Sequence, residues 1–551
     1  MSGALAQLDG AIDARRPSPA KGRPERLDVG LRLQPREAAP RQTEAARFVS
    51  AAVGGLPPGD PRIWAHSMQH LVLATLRDGG CRNIADVSGQ VLHEDAVVAA
   101  RDRLEHIGVR PGDVVLIKAK NDVNGAAALL GAWLQGCAVC PVDPSAPASV
   151  HDLIAHHSGA RAVVDSAGCV SLAEGAGASR RSRIRIGRPT GVDLGLIIFT
   201  SGSSGVPKGV MLTHGNVMSA LRAISSFLEI GRDDKIFCVP PMFLDYGLYQ
   251  VLFSMFTGCR LVLASGVTSP LKILALIEQA QPTILPVVPA LASGLATVLN
   301  TFNQTIESLR TISNTGGHLA PATITAMSRS FPNARIFPMY GLTETKRALY
   351  LPPQLVAQKA GSVGGPMPGL DARVVVRDEA GTLAEAKAGE VGELYLRGSS
   401  VMQGYHSADS GAGARLVPGR YRDDVWLATG DLFERDEDGC LYFRGRSKSL
   451  IKQKGYCIYP RDLEAVAEGL HDVASAIVVG RDEADGDESA ILFAILRGRG
   501  DEAHQDDVRA RIRAKLHKSL QPKIIHFLTE WPPSPVGKID LGALKQLARQ
   551  L

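Results

Sequence analysis

The chain has 551 residues, 45% hydrophobic and 21% charged, which is the composition of an ordinary folded protein with room for two or three domains. Its 61 Lys and Arg against 56 Asp and Glu leave a net charge of +5, too small to argue for nucleic acid or a membrane surface as partner. With no run of about 18 apolar residues and no charged-then-apolar leader, neither a membrane span nor export is expected, and the expected location is the cytoplasm.

Residues 1–58 are rich in Arg, Pro and Ala, as in "RRPSPAKGRPERLD", and lack a sustained apolar period. They read as a flexible basic arm. From about residue 60 the pattern alternates. "DVVLIKA", "CAVCPVD" and "ARAVVDS" are short β-rich runs, and "GAAALLGAWLQG" has helical spacing. This predicts an α/β arrangement, with helices packed on sheets, over residues 59–447. Near residue 445 the texture shifts again, and "GRSKSLIKQKGYCIYPRDLEAVAEGL" passes from a turn through a short basic strand into a helix opened by Pro460. Residues 448–551 therefore read as a small α+β domain. Eight cysteines are sparse for this length. Cys137 and Cys140 have CxxC spacing without a second pair, and they read as small buried hydrophobes.

"LIIFTSGSSGVPKGVMLTHGNVMSAL" is the most informative stretch. The strand-like run Leu196 to Phe199 leads into a loop of Thr200, Ser201, Gly202, Ser203, Ser204 and Gly205, then Lys208. A helix follows with Asn216 as its expected N-cap and with Val217, Leu221, Ile224 and Leu228 at helical spacing. Glycines let backbone N–H groups approach an anion, hydroxyls donate, and the lysine neutralises charge, so phosphate is the expected ligand. The spacing from Gly202 to Lys208 is not that of P-loop NTPases.

Thr200 to Gly209 matches the signature [ST]SG[ST][ST]G-x-PKG throughout, and here the chain resembles the adenylate-forming enzymes, which include acyl-CoA synthetases and the adenylation domains of peptide synthetases. The resemblance runs over nearly all of residues 60–551 and implies ATP and Mg²⁺ as cofactors. It implies that Glu344 and Thr343 of "GLTE" serve the metal and phosphates, Glu344 holding Mg²⁺, and that Tyr340 packs on adenine. Gly316 and Gly317 of "NTGGHLAP" would form the adenine-side loop, and Asp431 of "TGD" and Arg446 the ribose or phosphate contacts. Lys448 would be the pivot of the C-terminal domain, and Lys538 of "PVGKID" the lysine inserted during adenylation. One departure is Pro338, which stands where peptide-synthetase relatives often carry an adenine-contacting Asn.

The chemistry these groups imply is attack of a carboxylate on the ATP α-phosphate, giving an acyl-adenylate and pyrophosphate. Lys208, Lys538 and Mg²⁺ held by Glu344 would offset the charge that builds on the phosphoryl oxygens. No general base is needed, because the carboxylate is already ionised at neutral pH.

"CVPPMFLDYGLYQVLF" aligns with the substrate-side segment, but the histidine common in acyl-CoA synthetases is replaced and Asp245 follows. In amino-acid-activating relatives an aspartate here pairs with the substrate ammonium; otherwise it caps a helix or forms a structural ion pair. Lys346 and Arg347 occupy positions that line the side-chain pocket and are usually small or apolar. Two cations there ask for an anion. The resemblance adds Tyr246, Tyr249, Ser313, Thr315 and Met339 to the substrate lining.

Asp245 with the Lys-Arg pair looks like the stand-alone enzymes that load 3-methylaspartate-type β-amino acids for macrolactam polyketides. Aspartate, 3-methylaspartate or a close analogue is the expected substrate. The alternative is that Lys346 faces solvent and Arg347 pairs with Asp245 or another acid. The chain runs thirteen residues past Lys538, so a separate thiol acceptor is expected: the phosphopantetheine of an acyl carrier protein, or coenzyme A. Rivals are an acyl-CoA ligase for another acid and a nucleotide-binding relative without turnover.

Overall fold

A computed structural model describes residues 60, 62, 64–173, 187–200, 207–377, 382–406, 415–421, 424–453, 456–483, 487–498, 501–532 and 539–551. The arm expected over 1–58, the loop residues Ser201, Gly202, Ser203, Ser204 and Gly205, and Lys538 lie outside these. The described residues form one compact unit.

The large N-terminal domain contains three sheets of eight, seven and six strands, covered by helices. The apolar runs read from the sequence become neighbouring parallel strands in the seven-stranded sheet, Ala138–Val142 and Ala162–Val164 flanking Val114–Lys118. Buried on both faces, such strands carry unbroken apolar sequence rather than alternation. The helix Val123–Leu134 between them is buried along nearly its whole length, with Trp133 fully enclosed and its indole N–H donating to Gly195 O at 3.0 Å. Cys137 and Cys140 are fully buried, and burial pushes the Cys140 thiol up to about 12. Among the described residues no cluster of His, Cys, Asp and Glu could hold a metal.

The helix after the phosphate loop is His214–Phe227, and its N-cap is Thr213, not Asn216. Thr213 Oγ1 accepts from Asn216 N at 3.1 Å while Asn216 Oδ1 accepts from Thr213 N at 2.9 Å, so Asn216 is the returning partner of a capping box three residues into the motif. Its stripe Val217, Leu221, Ile224 and Leu228 is buried as the spacing requires.

In the eight-stranded sheet the strands Lys235–Cys238, Ile284–Val287, Thr311–Asn314 and Arg335–Tyr340 run parallel. Their carboxyl ends feed the loops that begin at Thr315 and Gly341, the edge where open parallel sheets bind ligands. A second core, distinct from that of the large domain, is built from Ile451, Ile458, Leu463, Val473, Leu492 and Ile512 and their neighbours. It holds together a small C-terminal α+β domain, whose sheet comprises Val473–Asp482, Glu488–Leu496 and Ile524–Leu528. Arg444, on the last strand of the large domain, donates to Glu434 Oε2 at 2.6 Å and to Asp462 Oδ1 at 3.2 Å on the first helix of the small one. No helix among the described residues is long and apolar enough to cross a membrane.

Candidate active site

Glu344, Lys346 and Arg347 share one tight turn at the end of the strand Arg335–Tyr340. Thr345 N and Lys346 N both donate to Leu342 O, at 3.0 and 2.8 Å. Lys346 closes the turn at φ 73°, a left-handed conformation uncommon for a residue with a Cβ. Gly341 makes the closure possible, since a Cβ there would overlap Lys346 O.

This turn buries both cations: Lys346 is 2% exposed and Arg347 3%. Lys346 Nζ lies 3.4 Å from Asp245 Oδ2 and 4.2 Å from the Tyr249 ring centroid. Arg347 Cζ lies 4.5 Å from the Tyr246 ring centroid, and Nη1 donates to Lys346 O at 3.4 Å. Both cations thus rest on aromatic faces, an arrangement worth more when desolvated. Asp245, Tyr246 and Tyr249 all come from the first turn of one helix, Asp245–Thr257, which explains their convergence. Asp245 is its first helical residue, beside the positive end of the helix dipole, and is not its cap. The alternative in which Lys346 faces solvent and Arg347 pairs with Asp245 or another acid is therefore not the observed arrangement. Lys346 is the buried partner, and among the described residues no acid lies within ion-pair distance of Arg347.

Burial holds the Lys346 ammonium well below its usual range, at about 8, with Asp245 opposing and Arg347 reinforcing the drop. Tyr246 is pushed up to about 12, first by burial. Its hydroxyl donates to Ser313 O at 2.6 Å, and Thr315 and Met339 are likewise buried at strand ends.

The residues expected to meet the nucleotide gather around two carboxylates, Asp431 and Glu344. Asp431 Oδ2 accepts from Tyr340 at 2.6 Å, and Oδ1 lies 3.2 Å from Arg446 Nε. Burial raises the Asp431 carboxyl, against the pull of Arg446 and Tyr340. Glu344 Oε1 accepts from Tyr405 at 2.6 Å and from Arg415 at 3.1 Å. Lys208 Nζ stands 5.5 Å from the Tyr405 ring centroid, and Thr200 is its register partner across the hairpin. Thr343 is half-buried in the turn before Glu344. Gly316 has φ +82°, and a Cβ on Gly317 would press on Pro289 at 3.1 Å. Pro338 is the register partner of Asn314, and both line a small hollow with Gly317, His318 and Met339. Lys448 lies in the short turn Ser447–Ser449 between the domains.

Sequence reading missed Tyr405, Arg415 and His318. Tyr405 follows directly on a Gly in "MQGYH", the one available signal, whereas Arg415 sits among Gly and Ala with no pattern around it. Burial lowers His318 to about 3, and Arg461 of the small domain adds to the effect.

Residues 87–406 match the AMP-binding enzyme family and residues 462–538 the AMP-binding enzyme C-terminal domain. The chain belongs to the AMP-binding enzyme family. Within this adenylate-forming group it is 29% identical, over 63% of its length, to a long-chain-fatty-acid–CoA ligase of Bacillus subtilis. It is 28% identical, over 79% of its length, to part of the probable non-canonical nonribosomal peptide synthetase CymA of Salinispora arenicola, covering 5% of that protein. The chain spans about three fifths of the first of these, 60%. Its fold superposes on ATP-bound MatB from Rhodopseudomonas palustris with a TM-score of 0.74 at 24% identity, covering 88% of this chain and 99% of the other.

Proposed function

We propose that the chain is an AMP-forming ligase that adenylates an acidic amino acid, aspartate- or 3-methylaspartate-like, at the carboxyl remote from its amino group. The observation that carries this reading is the charge imbalance of the acyl pocket: two buried cations face one carboxylate, Asp245. An excess buried cation is costly without a counter-ion, and a second carboxylate on the substrate supplies one with bidentate geometry at Arg347. The substrate ammonium would then take Asp245, displacing Lys346 toward the same carboxylate. Tyr246, Tyr249, Ser313, Thr315 and Met339 wall the pocket.

ATP is the adenylyl donor. Thr200 to Lys208 would hold its phosphates, Gly316, Gly317 and Tyr340 its base, and Asp431 with Arg446 its ribose. Glu344 fits Mg²⁺, being a largely buried carboxylate that presents oxygen to the phosphate side, the ligand type this ion prefers. The bound ion would offset charge on the phosphates. Lys208 and Lys538 would add their charge at the reacting phosphoryl group. After adenylation, residues 448–551 would pivot at Lys448 against the core 59–447, and the acyl group would pass to the phosphopantetheine thiol of a separate carrier protein. The protein would work in the cytoplasm.

A second reading, an acyl-CoA ligase for a simpler acid, draws on the Lys346–Asp245 pairing and on the relatives named as CoA ligases. ATP–pyrophosphate exchange across aspartate, 3-methylaspartate, glutamate, β-alanine, 3-aminobutyrate and simple acids separates the two. Dominance of the aspartate group supports the acidic amino acid, and dominance of simple acids overturns it.

A further inference from the structure

Arg415 belongs to none of the motifs that define the nucleotide site, yet its guanidinium stands among them. Nη1 donates to Glu344 Oε1 at 3.1 Å and lies 3.4 Å from the Tyr405 hydroxyl. The other end reaches the strand Val425–Arg435 that carries Asp431, where a Cβ on Gly430 would come within 3.3 Å of Nη2. The side chain is 41% exposed, so it reaches solvent instead of closing a core. With Lys208 across the Tyr405 ring and Arg446 on Asp431, three cations surround the space between the two carboxylates.

We propose that Arg415 is a triphosphate-binding residue that serves as the counter-ion of Glu344 until the nucleotide arrives. Glu344 is 7% exposed, and a carboxylate so enclosed is stabilised by an ion-pair partner. Arg415 supplies that partner and fixes the carboxylate orientation through the same oxygen that Tyr405 holds. With the triphosphate bound, Glu344 would be free to hold the metal and the released guanidinium would serve the phosphates. Its planar fork suits phosphate oxygens better than a point charge would. No bond is made or broken in the exchange; one set of charge-assisted hydrogen bonds replaces another.

The inference rests on the assignment of Glu344 and Asp431 to the nucleotide. Calorimetric titration of the full chain with ATP in Mg²⁺, ATP in EDTA, and AMP tests both. Arg415→Gln is expected to weaken ATP binding about tenfold or more, with or without Mg²⁺, and AMP binding by less than about threefold, the loss of a hydrogen bond to a charged group. Arg415→Lys is expected to recover part of the loss. Unchanged or tighter ATP binding in Arg415→Gln, with a lower Mg²⁺ requirement, would make Arg415 a mere competitor for Glu344 and overturn the proposal. Equal loss of ATP and AMP would overturn it too, by assigning the residue a structural role. Wild-type protein that bound no ATP would sink the nucleotide assignment itself.

Discussion

Lys346 Nζ lies 3.4 Å from Asp245 Oδ2, an ion pair that joins the turn after Glu344 to the first residue of the helix Asp245–Thr257. The neighbouring Arg347 has aromatic and backbone contacts in place of an acid. This division of labour makes the two adjacent cations experimentally separable.

Arg347→Ala is expected to abolish activation of acidic amino acids while sparing ATP binding. Removing one partner of a buried ionic contact costs about 3 to 5 kcal/mol, equivalent to a few hundredfold or more in kcat/KM. Pyrophosphate exchange with aspartate, paired with ATP titration, measures both halves, and unchanged exchange would remove Arg347 from substrate recognition.

Activity toward an acidic substrate is expected to fall as pH rises through about 8, because Lys346 loses its proton there. Stability should move the other way. Lysine in the unfolded chain keeps its proton to its ordinary, higher pKa, so between the two values the unfolded state binds more protons and unfolding becomes harder as pH rises. Below about 8 the residue is charged in both states and its burial cost is present in full. Comparing kcat/KM and unfolding midpoints of the parent with Lys346→Met from pH 7 to 10 checks both signs, since the variant should lose the Lys346 contribution to each.

Gly341→Ala should destabilise the chain and weaken substrate more than its distance from the pocket suggests. The added methyl overlaps Lys346 O, and overpacking of this kind costs about 1 to 3 kcal/mol. Denaturant unfolding gives the cost, and the KM for the amino acid reports whether the turn has moved.

Tyr246 separates packing from polarity. Tyr246→Phe keeps the ring under Arg347 and loses the hydroxyl that donates to Ser313 O, for an expected cost of about 1 kcal/mol in stability with little change in substrate preference. Tyr246→Leu removes the aromatic face as well and should raise the KM for acidic substrates. Identical kinetics in the two variants would show that the ring face does nothing for Arg347.

The alternating α/β plan was legible because parallel strands buried on both faces write themselves as apolar runs, as Val114–Lys118 and Ala138–Val142 do. The grouping of Asp245, Tyr246 and Tyr249 came from the family resemblance, and that all three sit on the helix Asp245–Thr257 was not read from the sequence. The partner of Asp245 was not legible either, because Lys346 and Arg347 differ by one position and the choice between them depends on a positive φ at Lys346 that no propensity announces. Arg415 and Tyr405 escaped for a related reason. Their meaning lies in reaching across from one segment to Glu344 on another, which sequence neighbours do not encode. The cap at Thr213 was displaced by three residues because both members of a capping box have side chains able to cap.

Glu344, on the nucleotide side, and Lys346, on the acyl side, are two residues apart in a turn closed by Leu342 O and tied to Met402 N through Glu344 O at 2.8 Å. If nucleotide binds at Glu344 and the acid at Lys346 as proposed, strain imposed on that turn by one would be felt by the other, and the resulting linkage would be reciprocal. If the proposed roles hold, an acidic substrate that drew Lys346 away from Asp245 would also adjust the seat of Glu344, and the site could sense the correct acid before the nucleotide is spent.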